Sequence, residues 1–183
     1  MLKWIISYFL IVALIFGLLV PSGVSTDTVD YDSFGKIKIG MTVAQAQKAT
    51  HIVIVQLNGK RNQKDGCFYV EPKSGFQFHR VRFMVVDGKI VTFEINGSNV
   101  KTTKGINVGD SQYNLASYGI KNFQLIGSKK SKQRYFIYIP PKAKDYRMIF
   151  ESGEYEYITR YKAGRLPEVN YPFGCANYSK VKI

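Results

Sequence analysis

Hydrophobic and polar positions alternate in short runs along most of this 183-residue chain, and runs of this kind predict β-strands. The clearest example is RFMVVDGKIVTFEI (82–95), in which two such runs flank Asp-Gly. Asp-Gly at this position is a strong signal for a tight β-hairpin. Because successive side chains of a strand point to opposite faces, Val91, Phe93 and Ile95 are expected to lie together on one face.

A different pattern occurs near the start of the chain, in IKIGMTVAQAQKAT (37–50). It predicts a short strand, a backbone turn at Gly40 and a short helix. Thr42 can cap the helix, and Gln45, three residues later, can return a hydrogen bond to the cap residue, which is the capping-box arrangement. The helix is expected to end near His51.

A second version of this pattern is found in INVGDSQYNLASYG (106–119). Gly109 stands where the first copy has its turn glycine, and either Asp110 or Ser111 is available as the helix cap. Gly119 suits the left-handed residue that often ends a helix. The sequence therefore predicts a second short helix after Gly109.

Matching segments follow both glycine-helix patterns in the same order, which a duplicated unit explains better than chance. They are IVIVQL (52–57) and NFQLI (122–126), CFYVEP (67–72) and YFIYIP (135–140), and hairpins at 82–95 and 147–160. We therefore predict an α+β fold of two tandem units, each a short helix followed by about four antiparallel strands, sharing one continuous sheet. The units are placed at 31–98 and 99–162, with a C-terminal tail at 163–183.

The N-terminus has the pattern of export machinery rather than of a folded domain. Lys3 precedes an unbroken apolar run from Trp4 to Val20, and small residues follow. This order is typical of a secretory signal peptide, predicted here at 1–25 with cleavage after Ser25. An uncleaved N-terminal membrane anchor is the alternative, because the run is longer than most signal peptides require. Either interpretation predicts a periplasmic or secreted protein.

Two cysteines, Cys67 and Cys175, are expected to form one disulfide, because an exported chain folds in an oxidising compartment. This bond would attach the C-terminal tail to the first unit. A zinc site is a poor alternative, since these cysteines, His51 and His79 show none of the paired spacings that zinc sites use. The sequence predicts no metal and no cofactor.

Catalytic chemistry has little support in the sequence. His51 lies at an expected helix end, where a cation complements the helix dipole, and His79 lies on a predicted strand. None of the common nucleophile, metalloprotease or phosphate-binding motifs is found. We therefore predict a protein that is not an enzyme and has no catalytic residues. An enzyme of an unrecognised type remains the alternative, and it would need a histidine beside a nucleophile.

The pattern I-x-I-G-M-T-x-x-Q at 37–45 resembles the tandem domains of the β-lactamase inhibitory proteins (BLIP-like) and of the SmpA/OmlA type of outer-membrane assembly lipoproteins. The segments AGRLPEVNYPFGC (163–175) and GCFYV (66–70) also resemble a group of uncharacterised exported bacterial proteins with the same two-repeat plan. The resemblance implies a concave antiparallel sheet backed by helices, which grips a hydrolase in the inhibitors and bridges assembly components in the lipoproteins. The second copy departs from the pattern, because it has Gly-Asp-Ser after its strand, and the lipoprotein cysteine is missing.

The chain carries a formal net charge of +13, which favours anionic partners. Acidic proteins, lipid headgroups and anionic envelope polymers all qualify. Nucleic acid is excluded as the expected partner, because no nucleic-acid-binding motif is found and exported proteins seldom meet it. The charge can also serve solubility alone, and the protein is expected to be a monomer.

Tyrosine and basic residues concentrate in the second unit, and both Tyr and Arg commonly supply the binding energy of interfaces. The predicted binding residues are Tyr135, Tyr138, Tyr155, Tyr157, Lys129, Lys130, Arg134 and Arg160. Glu151, Glu154 and Glu156 flank the second hairpin and could pair with basic residues. We therefore predict a binding protein whose sheet face engages another exported protein as an inhibitor, immunity factor or assembly component. The alternative is a basic, aromatic surface that holds anionic polymer or lipid headgroups.

Overall fold

A computed structural model describes residues 28–58, 63–64, 66–73, 80–127 and 132–178 of the chain. The predicted signal peptide or anchor at 1–25 lies outside the described residues, as do His79, Lys129 and Lys130. Within the described part, no helix is long and apolar enough to cross a membrane.

The described chain is built mainly from antiparallel β-strands. The strands and the helix are β1 (Ser33–Phe34), β2 (Ile37–Lys38), α1 (Val43–Thr50), β3 (Ile54–Gln56), β4 (Gln63–Lys64), β5 (Cys67–Pro72), β6 (Val81–Val86), β7 (Lys89–Ile95), β8 (Phe123–Gly127), β9 (Arg134–Tyr138), β10 (Tyr146–Ser152) and β11 (Ile158–Arg165). Short 3₁₀ helices occupy Gln112–Leu115, Glu168–Asn170 and Gly174–Asn177.

Nine of these strands form one antiparallel sheet, and β1 and β2 form a separate two-stranded sheet. The order in the large sheet is β3-β5-β6-β7-β11-β10-β9-β8, with β4 paired to β5 beside this path. Strand β7 therefore lies next to β11 at the centre, and their register pairs Glu94 with Lys162 and Phe93 with Ala163.

The predicted fold class, two tandem units that each begin with a helix, is wrong. In the described residues α1 is the single α-helix, and the segment after Gly109 forms a four-residue 3₁₀ helix, Gln112–Leu115. Ser111 does cap it, accepting from the backbone N–H of Tyr113 at 3.4 Å. Tyrosine and asparagine are weaker helix formers than the alanine and glutamine of α1, which explains why the second turn stays short. The molecule is a mostly β fold.

The first glycine-helix segment follows its local signals closely. The Thr42 hydroxyl accepts from the backbone N–H of Gln45 at 3.2 Å, and the Gln45 side chain accepts from the backbone N–H of Thr42 at 2.9 Å. Gly40 has a positive φ of 92°, which favours glycine at the turn. His51 ends the helix in the left-handed conformation. Both backbone ends of this eight-residue helix are thereby given hydrogen-bond partners.

One face of the large sheet packs on the main hydrophobic core. Helix α1, the small sheet and the segment 100–120 cover that face, and all contribute buried side chains. The aromatic rings of Phe34, Phe83 and Phe93 are in contact at its centre, with the Phe34 and Phe83 centroids 5.4 Å apart. Tyr161 is buried here, and its hydroxyl donates to the carbonyl of Val100 at 2.9 Å. These contacts join the two halves of the sheet to one core.

The C-terminal segment packs on the opposite face of the sheet. The predicted disulfide between Cys67 and Cys175 is present and joins positions 108 residues apart. A second hydrophobic cluster surrounds it, with Met84, Val86 and Tyr178 among its buried members. The tail therefore packs on β5 and β6, and its 3₁₀ helix Glu168–Asn170 also contacts β7, β11 and β10, whereas the outermost strand β8 is largely exposed.

The Asp-Gly hairpin is confirmed, but one facing prediction beside it is wrong. Asp87 and Gly88 both have positive φ and connect β6 to β7. A β-bulge shifts the register near Val85, so that Val91 packs in the second cluster instead of beside Phe93. Strand alternation could not predict this, because a bulge reverses the facing of every residue on one side of it.

Candidate functional site

The part of the second sheet face formed by β8 to β11, here called the open face, carries two rows of side chains that run across the strands. One row, from β11 to β8, consists of Lys162, Ile149, Ile137 and Gln124, which pair directly with one another in register. The parallel row consists of Arg160, Glu151, Tyr135 and Ile126. Both rows begin with charged residues near the centre of the sheet. Towards β8 the first row continues through Ile149 and Ile137 to the polar Gln124, and the second continues through Tyr135 to Ile126.

Two clefts on the open face meet at the tail. The charged cleft has a volume of about 330 Å³ and is lined by side chains that include Arg82, Glu94, Arg160 and Lys162. The apolar cleft has a volume of about 430 Å³ and is named for Ile126, Ile137 and Ile149, although the charged side chains of Arg147 and Glu151 also line it. Lys162 and Pro172 line both clefts. These volumes lie at the lower end of the range for ligand sites, about 300–1,000 Å³.

Glu94 organises one side of the charged cleft. Its Oε2 atom lies 2.8 Å from Arg82 Nη2, and its Oε1 atom accepts from the Tyr69 hydroxyl at 2.5 Å. The Arg82 guanidinium also lies over the Tyr69 ring, 4.6 Å from its centroid. Burial raises the pKa of the Tyr69 hydroxyl, and the charge and hydrogen bond of Glu94 raise it further. Tyr69 therefore keeps its proton and remains the hydrogen-bond donor to Glu94.

Glu151 forms the corresponding ion pair in the neighbouring row, with Arg160. It is 2% exposed, and its Oε2 atom lies 2.6 Å from Arg160 Nε. The Gln133 amide donates to the same oxygen at 3.5 Å. Burial raises the pKa of the neighbouring Tyr135 hydroxyl, and the negative charge of Glu151 raises it further. The interpretation that Glu151 pairs with a basic residue across the second hairpin is confirmed.

Lys162 lies between these two carboxylates but bonds to neither. The residue is 8% exposed, and its ammonium donates to the backbone carbonyl of Tyr171 at 3.0 Å. Burial lowers the pKa of the Lys162 ammonium, while the charges of Glu94 and Glu151 act in the opposite direction. No ion pair involving Lys162 is found among the described residues. Lys162 is therefore a buried cation, and the nearby carboxylates of Glu94 and Glu151 balance its charge without forming an ion pair with it.

A second candidate surface, here called the tyrosine turn, consists of Tyr113, Tyr155 and Tyr157 around Glu156. The three tyrosines are 67%, 83% and 55% exposed. Glu156 Oε1 accepts from the Tyr113 hydroxyl at 2.7 Å and lies 2.8 Å from Arg134 Nη1. Both hydrogen bonds lower the pKa of the Glu156 carboxyl, and the bond from Arg134 has the larger effect. The ion pair fixes the turn while its aromatic side chains remain in solvent.

The predicted binding residues do not form one surface. Tyr135 and Arg160 lie on the open face, whereas Arg134, Tyr155 and Tyr157 lie at the tyrosine turn. Tyr138 packs against the main core, on the other side of the sheet. Lys129 and Lys130 are outside the described residues. Tyrosine content alone could not separate these positions, because the side of the sheet depends on strand phase.

The sequence did not point to three residues that belong to the charged cleft or to the tyrosine turn. Glu94 and Lys162 lie directly opposite each other on β7 and β11, and Tyr113 meets Glu156 across the chain. A usable signal was the alternation in ITRYKAGR, which puts Arg160 and Lys162 on one face. The pairing of β7 with β11, by contrast, had no local signal.

The described residues contain no group of three or more His, Cys, Asp or Glu side chains that could hold a metal ion. His51, one of the two histidines of the sequence, is exposed at the end of α1. The contacts described in the clefts are ion pairs, hydrogen bonds and apolar contacts.

No protein-family model matches the chain, and no curated protein sequence matches it. Two solved structures are similar. The crystal structure of the uncharacterized protein yfeY from Escherichia coli has a TM-score of 0.46 and 14% identity, covering 75% of this chain and 99% of that chain. An extracellular protein containing a SCP domain from Bacillus anthracis str. Ames has a TM-score of 0.45 and 15% identity, covering 77% of this chain and 46% of that chain. Likeness at this level carries no argument about function.

The disulfide is informative about the cellular compartment in which the protein folds. Bonds of this kind persist in oxidising environments and are rare in the cytosol. The bond between Cys67 and Cys175, which includes both cysteines of the sequence, is therefore compatible with export.

Proposed function

We propose that this chain is a noncatalytic, periplasmic or secreted binding protein that engages another exported protein through the second half of its sheet. The observation that carries the proposal is the tyrosine turn, where Tyr113, Tyr155 and Tyr157 are all more than half exposed. Large aromatic side chains normally withdraw from water, so a group of them on a fixed turn is typical of an interaction site.

The rigidity of the turn supports this role. Gln112 donates its backbone N–H to the carbonyl of Glu156 at 2.9 Å, and Arg134 holds the Glu156 side chain. Because the backbone beneath the tyrosines is already ordered, a partner would lose less conformational entropy on binding than it would at a mobile loop. The resemblance to inhibitory and assembly proteins suggests a partner of the hydrolase or envelope-assembly kind, bound by a monomer.

The test is a capture experiment with the exported, disulfide-intact protein immobilised and exposed to an envelope extract at low and at high salt. A partner held by aromatic contacts should be retained at both salt concentrations, because salt screens charges but does not weaken apolar burial. The double variant Tyr155→Ser, Tyr157→Ser should lose that partner.

Val53→Ser is the matched control, because Val53 is an apolar residue near the other edge of the sheet and its exposed fraction, 58%, is close to that of Tyr157. The control should retain the partner. Equal retention by the unchanged protein and the double tyrosine variant would contradict the proposal, and so would equal loss from both variants.

A second candidate function is binding of an anionic envelope polymer or lipid headgroup. The observation that favours it is Lys162, a buried ammonium without an ion-pair partner in the described residues, at the junction of two clefts. Binding that depends on such charges should weaken as salt rises, which separates it from aromatic contact.

A further inference from the structure

We infer that the open face binds an anionic amphiphile, a molecule with a carboxylate or phosphate head and one alkyl chain. The head lies at Lys162 in the charged cleft, and the chain lies in the apolar cleft. This inference rests on the second candidate function and specifies its ligand. It uses a different surface from the tyrosine turn.

The position of the head follows from the balance of charges. Arg82 is paired with Glu94, and Arg160 is paired with Glu151. Lys162 is the remaining cation of the charged cleft, and the acceptor it bonds is a neutral carbonyl. An ammonium has three N–H donors, so an anion in the cleft can accept a charge-assisted hydrogen bond. The head is therefore expected to carry negative charge.

The position of the chain follows from the register of the sheet. Ile149 pairs directly with Lys162, and Ile137 pairs with Ile149 on the next strand. Tyr135 and Ile126 flank this row, and Ile126 is 55% exposed. From β11 to β8 there are three strand spacings of about 4.8 Å, so the apolar path is roughly 14 Å long. A straight alkyl chain fits such a path, and a compact anion would leave it empty.

The C-terminal tail closes one side of the site. Pro172 lines both clefts, Asn170 lines the apolar cleft, and Phe173 lines the charged cleft. Tyr171, between them, supplies the carbonyl that accepts from Lys162. The tail thus places a wall along the site and positions the ammonium at the point where the two clefts meet. The disulfide at Cys175 holds that wall against the sheet.

The inference is tested by calorimetric titration of the exported, disulfide-intact protein with dodecanoate, below the concentration at which the probe forms micelles. Saturable binding of one dodecanoate per protein is expected. Affinity should fall about fourfold for each methylene removed, from dodecanoate to undecanoate to decanoate. The reason is that each methylene buried away from water contributes favourably to the free energy of binding. Dodecyl phosphate shows whether the site prefers a phosphate head or a carboxylate head. Dodecyltrimethylammonium, with the opposite charge, should not bind.

Two substitutions locate the site. Lys162→Met keeps the apolar stem but removes the charge, and it should weaken dodecanoate binding at least about tenfold. Lys142→Met is the matched control, because Lys142 is exposed, lines neither cleft and changes the net charge equally. Ile137→Asn should weaken binding and reduce its dependence on chain length, while keeping every charge. Circular dichroism at increasing urea shows that each variant folds.

Three results would overturn the inference. One is equal binding of dodecanoate and dodecyltrimethylammonium, and another is an equal effect of Lys162→Met and Lys142→Met. The third is no binding of either dodecanoate or dodecyl phosphate; if a salt-sensitive envelope polymer is still retained, the second candidate function survives without this ligand. The double variant Tyr155→Ser, Tyr157→Ser should bind dodecanoate normally, so the proposals for the two surfaces can be rejected independently of each other.

Discussion

Arg160 and Glu151 face each other across β10 and β11, with 2.6 Å between Arg160 Nε and Glu151 Oε2. The carboxylate is buried, whereas the guanidinium is partly exposed at the charged cleft. The pair therefore stabilises the strand pairing on the open face and places one cation beside Lys162. Its contribution can be measured.

Arg160→Met should lower the free energy of unfolding by about 2 kcal/mol, because it leaves the buried Glu151 carboxylate with one long hydrogen bond from Gln133. Urea denaturation measures the change. The double variant Glu151→Leu, Arg160→Met should recover most of the loss, since both charges are then removed. Lys132→Met, which breaks an exposed pair with Glu154, should cost less than about 1 kcal/mol. Similar losses for Arg160→Met and Lys132→Met would argue against a buried role for Glu151.

Gly164→Ala should destabilise the protein by about 2 kcal/mol or more. A Cβ atom at this position would overlap the carbonyl oxygen of Val91 on the facing strand, where backbone atoms have little freedom to move. Gly153→Ala is the control, because its Cβ would meet a Thr159 methyl at an ordinary 3.5 Å. Thermal or urea unfolding of the two variants measures the difference, and equal stability would show that the β7–β11 contact is looser than described.

Replacing both cysteines, Cys67→Ser and Cys175→Ser, should lower the free energy of unfolding by about 4–5 kcal/mol in the chain-entropy account, because the bond closes a loop of more than 100 residues. The same variant should bind dodecanoate more weakly, since the tail that lines both clefts is no longer attached. Urea denaturation and the calorimetric titration measure the two effects. Unchanged stability would show that the second hydrophobic cluster holds the tail without the bond.

Lys162→Met should raise the free energy of unfolding at neutral pH, because burial disfavours the charged ammonium. The folded-state pKa of Lys162 lies below the ordinary lysine value of 10.5, so the unfolded state binds more protons between the two values. The unchanged protein should therefore gain stability through Lys162 as pH rises from the lowered pKa towards 10.5. Glu94 and Glu151 favour the charged form, and Arg160 opposes it.

The measurement is the difference in unfolding free energy between Lys162→Met and the unchanged protein at several pH values from neutral to about 10. That difference should shrink as pH rises. Using the difference removes the shared contributions of Tyr69 and Tyr161, whose raised pKa values act in the opposite sense above pH 10. A constant difference would mean that Lys162 stays charged in the folded protein across this range.

Local signals in the sequence predicted several elements closely. CFYVEP was predicted as a strand and forms β5 over the same residues, Cys67–Pro72. The Asp-Gly hairpin, the Thr42 cap and the end of α1 at His51 also follow from neighbouring residues alone. Each depends on contacts within a few positions of the chain, which is why a sequence can specify them without its fold.

The second helix was predicted wrongly for a related reason. The glycine, the cap and the spacing around Gly109 match those around Gly40, but the residues after Ser111 include two tyrosines, an asparagine and a serine, which form helices less readily than the alanines, glutamines and lysine of α1. A cap can start a turn without being able to extend it. Similarity of the start signals was therefore not enough to predict an α-helix.

Local residue patterns alone specified the strand-forming segments, the capped first helix, the tight hairpin and the two cysteines that pair. Contacts between distant segments placed β7 beside β11, turned Val91 away from Phe93 through a bulge, and packed the tail on one face of the sheet. These contacts place Lys162 where the two clefts meet, with Glu94 lining the charged cleft and Glu151 lining the apolar cleft. Those residues come from three strands and gain their proximity only when distant segments pair, so no local pattern could encode their meeting.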